Sequence, residues 1–168
     1  MNDELTKVDI QKMQEEWDYR ATTLRPEIIE EVKRTRAFGD LSENYEYKAA
    51  KQAQRQNDSR MRYLERMIKT AKIIDDDITA EDTVGLFDKV TIYLEEDEEE
   101  QVIQIVTTVR CDPSLGYISK ESPLGKAVLG KKIGDRITVR VSDDYSYDLV
   151  IRSVVKGEDD GSAPLMQY

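Results

Sequence analysis

Histidine is absent from this chain of 168 residues, and cysteine occurs once, at Cys111. A chain without imidazole cannot build a Ser-His-Asp triad, and one thiol is too few for an internal disulfide or a typical structural zinc site. Any metal chemistry must therefore use carboxylate oxygens, which favour Mg²⁺ or Mn²⁺.

Long apolar stretches are also missing, since no run approaches the ~18 consecutive apolar residues typical of a membrane-spanning helix. The first residues, Met-Asn-Asp-Glu, have neither the basic region nor the apolar run of a secretory signal. We therefore expect a cytoplasmic protein without a membrane partner, and the single thiol agrees with that compartment.

The net charge of −10 is unevenly distributed. Residues 1–75 contain 15 basic and 15 acidic residues, whereas residues 76–168 contain 10 basic and 20 acidic residues. Within residues 48–72, eight basic residues outnumber Asp58 and Glu65. Such asymmetry informs about partners more than the total charge does, and it indicates one basic segment in an acidic protein.

A first helix is predicted over about residues 8–37, because apolar side chains recur there at three- and four-residue steps. Pro26 lacks an amide proton and its ring clashes with the preceding turn, so we expect an interruption near Leu24 and Pro26. Gly39 is expected to end this helix.

A second helix is predicted over about residues 42–74, where the seam positions are spaced three and four residues apart as in a coiled coil. Gln54 and Asn57 are polar seam positions that can fix the register. The short Gly-containing link makes the two helices antiparallel neighbours. Residues 1–75 are therefore predicted to form an antiparallel helical coiled-coil hairpin with an acidic tip at residues 39–47.

The rest of the chain predicts a small sheet domain. Alternating and β-branched segments predict strands at residues 89–94, 101–106, 117–119, 136–141 and 147–155. Ser122 and Pro123 are typical of a helix start, and Gly130 of its exit. The fold class is thus α+β, with the following expected parts: a linker at 76–83, a solvated acidic hairpin loop at 95–100, an antiparallel sheet domain with a short helix at 84–156, and a disordered tail at 157–168.

The tip acids Asp40 and Glu43 allow two interpretations. Asp-x-x-Glu at a helix start is the pattern of a capping box. Alternatively, the carboxylates face outward and take part in metal or water chemistry, for which Mg²⁺ needs only one or two protein carboxylates besides its waters. Nearby, Tyr47 occupies a seam position and is expected to pack, whereas Tyr45 either stacks on a partner or stays exposed.

A basic face is predicted along the second helix. Its six members are Lys48, Lys51, Arg55, Arg62, Arg66 and Lys69. Such a face is either the ordinary solvated flank of a coiled coil or a surface for a phosphate backbone or an acidic protein channel.

Three stretches resemble the bacterial Gre transcript-cleavage factors. Residues 39–50, GDLSENYEYKAA, resemble the tip motif of that family, and residues 25–29, RPEII, its first-helix motif. Residues 122–135, SPLGKAVLGKKIGD, resemble the signature of its C-terminal domain. The three occur in the family's order and spacing, and the likeness extends over about residues 5–156.

This resemblance implies an FKBP-like fold for the C-terminal domain, which docks at the rim of the secondary channel of bacterial RNA polymerase. It also implies that the coiled coil enters the channel and stimulates the polymerase's own cleavage of backtracked nascent RNA. The protein is then an accessory factor rather than an enzyme. Asp40 and Glu43 match the catalytic acids, and they bind Mg²⁺ only together with polymerase carboxylates, so no tightly bound cofactor is expected.

The resemblance assigns further roles along the chain. The tip support comprises Ser42, Asn44, Tyr45 and Glu46, the basic face follows the 3′ segment of the RNA, and the docking segment comprises Ser122, Pro123, Leu124, Gly125 and Lys126. Tyr45 departs from the family, where a small residue is common. Two other functions stay open: a channel-binding regulator without cleavage activity, and a prolyl isomerase or chaperone with a coiled-coil arm.

Overall fold

The structure is a computed structural model that describes residues 2–39, 43–75 and 79–167. The described chain divides into a helical unit, Ile10–Ala71, and a sheet unit that joins Asp3–Asp9 to the residues from Lys72 onward. No helix in these described ranges combines the length and apolarity needed to cross a membrane.

The sheet unit begins earlier than the sequence indicated. Strand β1, Glu4–Leu5, pairs in parallel with β2, Lys72–Ile73, and both lie in the sheet unit. The sequence pattern predicts both segments within the coiled-coil hairpin at residues 1–75. The short pairing is the physical reason for the difference, because its backbone hydrogen bonds connect residues almost seventy positions apart in the sequence.

The predicted interruption of the first helix is confirmed. Helix α1, Lys7–Tyr19, passes into a π-helical turn, Arg20–Leu24, and then into α2, Arg25–Arg36. The amide of Arg25 donates to the carbonyl of Arg20, five residues back, and Pro26 follows in the first turn of α2. The widened turn accommodates a residue that has no amide proton and a bulky ring.

Helix α3, Tyr45–Thr70, is shorter at both ends than the predicted range of 42–74. It begins after the N-cap Asn44, and at its other end Ala71 is extended and leads into β2. Cross-helix contacts make α3 antiparallel to the first two helices, as predicted: Trp17 Nε1 donates to Glu65, and Arg34 pairs with Glu46.

The seam of the helical unit contains buried polar groups beside its apolar ones. Asn57 is buried and accepts a 2.9 Å hydrogen bond from Arg20 Nη1, which fits its predicted role in fixing register. Arg60 is also buried and donates to both oxygens of Glu16, at 2.7 and 3.1 Å. Removing one member of such a buried pair leaves an uncompensated charge, so shifted registers are disfavoured.

The sheet unit contains a five-stranded sheet in the order β5-β4-β3-β7-β6. The strands are β3 Lys89–Leu94, β4 Glu99–Val106, β5 Tyr117–Ser119, β6 Arg136–Arg140 and β7 Ser146–Val155. The predicted strands and the α+β class are confirmed. The sheet is mixed rather than antiparallel throughout, because β5 pairs in parallel with β4.

The core of this unit is aliphatic and lies between the sheet and the short helix α4, Pro123–Val128. Its fully buried members include Val84, Val90, Ile92, Ile105, Val128, Val139, Leu149 and Ile151. The acidic hairpin loop is shorter than predicted, because Glu99 and Glu100 already belong to β4 and pair with Leu94 and Tyr93.

The segment after β7, which we expected to be disordered, packs against the sheet unit instead. Ala163 is buried beside Phe87, and the amide of Met166 donates to the carbonyl of Val109. Asp159 forms an ion pair with Arg110. The low hydrophobicity of the segment was misleading because a few specific contacts, rather than a broad apolar face, hold it.

Arg110 is fully buried and connects three distant parts of the sheet unit. Its Nε donates to Asp9 Oδ1 at 2.5 Å, its Nη2 donates to Asp159, and its guanidinium lies 4.9 Å from the Phe87 ring centroid. Burial alone would lower the pKa of Arg110, but the hydrogen bonds to both carboxylates raise it. The cation therefore stays charged and holds both acidic segments.

Asn44 joins the two helices at the end of the helical unit. Its Oδ1 accepts from the amide of Tyr47 at 3.0 Å and caps α3, while its Nδ2 donates to the carbonyl of Thr35 at 2.6 Å. Thr35 is fully buried in the last turn of α2. One side chain thus fixes where α3 begins and binds that point to the end of α2.

Asn44→Ala should destabilise the first turn of α3 by roughly 1–2 kcal/mol, because it removes the cap and the bond to Thr35. Amide hydrogen exchange should show Tyr47 exchanging about tenfold faster, the ratio that corresponds to 1.4 kcal/mol. Asn44→Asp is the matched control, since it keeps the capping oxygen and loses only the donor. Parent-like exchange in Asn44→Ala would show that the cap contributes no stability.

Candidate functional site

The candidate site lies where α2 ends and α3 begins. Of the predicted tip residues, Asp40 and Ser42 lie outside the described residues. Glu43 is exposed and directly precedes the N-cap Asn44. In a capping box Glu43 would occupy the third helical position, so the capping-box interpretation is wrong.

The Glu43 carboxylate is therefore available to a partner. It forms no ion pair with any side chain of the described ranges. An exposed carboxylate fits Mg²⁺, which prefers hard oxygen ligands and usually takes only one or two carboxylates from a protein.

Glu46, also predicted as tip support, has a different environment. Its carboxylate lies 3.6 Å from Arg34 of α2, and Arg34 also donates to both oxygens of Glu31, at 2.6 and 2.9 Å. The hydrogen bonds from Arg34 lower the pKa of Glu31, and the same bonds raise the pKa of Arg34. Glu46 thus belongs to a charge network between the two helices, and among the described residues Glu43 takes no part in it.

Two aromatic side chains are exposed at this end. Tyr45 is 80% exposed, and the Lys48 ammonium lies 5.5 Å from its ring centroid. Phe38 is 58% exposed, and the Arg34 guanidinium lies 5.3 Å from its ring centroid. Tyr47, by contrast, is half-buried, which agrees with the predicted packing role.

Thr35 is the site residue that the sequence analysis missed. Its hydroxyl donates to the carbonyl of Glu31 at 2.8 Å, while its own carbonyl accepts from Asn44. The contact with Asn44 uses a backbone carbonyl, which every residue has, so no side-chain signal in the sequence marked Thr35. Gly39 itself has φ of +98° and follows the predicted helix end, and this left-handed conformation is one that glycine adopts readily.

The six cations of the basic face lie along α3. Lys51 is half-buried and donates to Gln54, whereas the other five are exposed. In the described ranges none of the six forms an ion pair with a carboxylate, although Asp58 and Glu65 lie on the same helix. The face is therefore positively charged and is not neutralised by the acidic side chains that the structure describes.

The predicted docking segment separates into structural and exposed residues. Ser122 caps α4 by accepting from the amide of Gly125, and a Cβ on Gly125 would lie 2.0 Å from the carbonyl oxygen of Ser119. Leu124 packs against the core. Within the segment 122–126 only Pro123 and Lys126 are exposed, so a contact of this segment with a partner depends mainly on these two.

Lys126 belongs to a small charged group beside α4. It lies 3.6 Å from Glu121, which also accepts a hydrogen bond from Lys120. The bond from Lys120 lowers the pKa of Glu121. Since Lys126 and Glu121 are both largely exposed, their pairing contributes little to stability and leaves Lys126 accessible.

Two family models match the chain in the order of its units. The N-terminal model of the GreA/GreB transcription elongation factors matches residues 4–73, and the C-terminal GreA/GreB model matches residues 79–156. Together they cover the tip, the basic face and the docking segment.

Curated relatives extend over most of the chain. The transcription elongation factor GreA of Thermoanaerobacter pseudethanolicus is 44% identical over 82% of this chain and 87% of its own length. That of Geobacillus kaustophilus is 43% identical over 81% and 86%. A solved structure, the GreA factor homolog 1 protein of Thermus thermophilus, covers 93% of this chain and 100% of its own, at 20% identity and a TM-score of 0.42. The two family matches and the identity to curated relatives show that this chain belongs to the GreA/GreB family of transcription elongation factors.

Proposed function

We propose that this chain binds bacterial RNA polymerase and stimulates the polymerase's own cleavage of backtracked nascent RNA. It acts as an accessory factor that lends carboxylates to the polymerase active site. The observation that carries the proposal is the placement of Glu43. Its carboxylate is exposed, lies outside the helix cap, and has no ion-pair partner among the described residues.

The contacts at the start of α3 support this use of Glu43. Asn44 and the Arg34–Glu46 pair connect α2 and α3 next to Glu43, so the backbone that carries the carboxylate is fixed at its helical end. A catalytic group must be held close to its productive geometry, and a position directly before a capped helix satisfies that requirement.

Glu43 and Asp40 would hold Mg²⁺ together with carboxylates of the polymerase. In a two-metal site the ions stabilise both the attacking and the leaving oxygens of a phosphoryl displacement. The contribution of this chain is to orient its two carboxylates at the polymerase active site. Because the remaining ligands belong to the partner, the site is complete only in the complex.

The basic face and the docking segment each support a more specific contact. We assign the basic face of α3 to the phosphates of the extruded RNA 3′ segment, and Pro123 with Lys126 to the rim of the polymerase secondary channel. The lack of ion pairs between these cations and described carboxylates supports the first assignment, because phosphate binding releases counterions and needs cations that are not already neutralised. The exposure of Pro123 and Lys126 supports the second.

Asp40→Asn and Glu43→Gln should each lower stimulated cleavage by roughly 10²-fold or more, the scale of a lost group that activates water. Binding to polymerase should stay within about twofold of the parent. The assay is cleavage of 3′-extended RNA in a stalled, backtracked complex. Glu30→Gln is the matched control, because Glu30 is an exposed carboxylate of α2 that pairs with Lys33 outside the tip at residues 39–47, and it should cleave nearly normally.

Parent-like cleavage in both acid variants would refute the catalytic role. A parent protein that binds polymerase tightly and never stimulates cleavage would instead support a channel-binding regulator.

The basic face can be tested by salt dependence. Arg55→Gln with Arg62→Gln removes two proposed phosphate contacts. The plot of log affinity for the backtracked complex against log salt concentration should therefore become less steep by about 1.4. Lys131→Gln with Lys132→Gln is the matched control, since it removes two exposed cations from the sheet unit. Equal slopes for both double variants would identify the face as a solvated flank.

The docking segment can be tested separately from the chemistry. Lys126→Glu should weaken polymerase binding by roughly tenfold, because it places a like charge against the acidic counterpart expected on the rim. A large excess of the variant should restore the parent's cleavage rate. Lys131→Glu serves as the control outside the segment. Unchanged affinity of Lys126→Glu would remove this residue from the interface.

A further inference from the structure

Tyr45 is the most exposed of the large hydrophobic residues that the structure describes, at 80%. It occupies the first position of α3, directly after the N-cap Asn44. The ring contributes little to the fold, because so little of it is buried. Its backbone is nonetheless fixed, since the cap and the bond to Thr35 hold the start of the helix.

The cation beside this ring is not paired with a carboxylate of the described residues. Lys48 lies 5.5 Å from the ring centroid and forms no ion pair with a carboxylate in the described ranges. An exposed ring with an adjacent free ammonium is the combination that binds single-stranded nucleic acid: the ring stacks on a base while the cation contacts the backbone phosphate.

The other exposed aromatic at this end provides a contrast. Phe38 also has a cation over its ring, but that cation, Arg34, donates to Glu31 and pairs with Glu46. Its charge is already neutralised within the helical unit. Of the two pairs, only that of Tyr45 and Lys48 keeps a charge available to a phosphate.

We propose that Tyr45 and Lys48 form a binding site for one unpaired nucleotide at the 3′ end of the extruded RNA. The Tyr45 ring stacks on the base, and the Lys48 ammonium contacts the phosphate of the same or the next nucleotide. The inference rests on the proposed function and deepens it, because it names the RNA feature that the end of the helical unit recognises. Stacking tolerates any base, so the site does not select a sequence.

The contact between the Tyr45 ring and the RNA base can be tested by removing the base from the RNA and the ring from the protein. Backtracked complexes are assembled with normal RNA or with RNA that carries one abasic ribonucleotide at successive positions of the extruded 3′ segment. These complexes are titrated with the parent, Tyr45→Ala, Tyr45→Trp and Phe38→Ala. All four proteins also carry Glu43→Gln, so that affinity is measured without loss of the RNA to cleavage.

With the parent, one abasic position should weaken binding by about tenfold, the scale of a single base–aromatic stacking interaction. Tyr45→Ala should bind normal RNA complexes about tenfold more weakly and lose nothing further with the abasic RNA. Tyr45→Trp should keep the parent's affinity and its sensitivity to the abasic position. Phe38→Ala should behave as the parent does.

Photocrosslinking tests the same contact. A 4-thiouridine at the sensitive position should crosslink to a peptide that contains Tyr45, and Lys48→Gln should lower the salt slope by about 0.7. If Tyr45→Ala lowers affinity relative to the parent by the same factor on normal RNA and on abasic RNA, the ring contacts polymerase and the proposal fails. It fails too if no abasic position affects the parent. Failure of the proposed function is distinct, because the parent with Glu43 intact would then bind or crosslink without stimulating cleavage.

Discussion

The functional end of the helical unit depends on the two hydrogen bonds of the Asn44 side chain. The bond from Tyr47 sets the first turn of α3, and the bond to Thr35 joins that turn to the last turn of α2. Together they place Glu43 before the helix and Tyr45 at its first position. A cap one residue earlier or later would rotate both side chains by about 100°, since an α-helix has 3.6 residues per turn.

Local patterns predicted much of the fold. The strands followed from alternating β-branched residues, and Ser122 with Pro123 marked the start of α4 correctly, because each depends on neighbours in the sequence. The start of α3 was harder to predict. Both the Asp40–Glu43 pattern and Asn44 satisfy local capping rules, so sequence spacing does not decide which residue caps the helix. The bond between Asn44 and Thr35, which joins two helices, favours Asn44.

The remaining misses are long-range contacts between small or charged groups. Arg110 binds Asp9 and Asp159, which lie 101 and 49 residues away. No sequence periodicity predicts such a partner. The composition of the Gly- and Asp-rich segment around Asp159, considered alone, predicts disorder. The packing of Tyr47 and the buried position of Asn57 could be predicted from the heptad seam. The different environments of Glu46 and Glu43 could not, because they depend on Arg34 of the neighbouring helix.

The contrast between paired and unpaired charges supports the functional interpretation. Arg34 and Glu46 are satisfied within the helical unit, where their network helps to hold two helices together. Glu43 and Lys48 form no ion pair with the described residues, and exposed charges of that kind add little to stability. Within the part of the chain that the structure describes, stability alone therefore gives no reason for this carboxylate and this ammonium beside an exposed ring. The proposed partner, which brings Mg²⁺ to Glu43 and a nucleotide to Tyr45 and Lys48, would account for all three side chains at once.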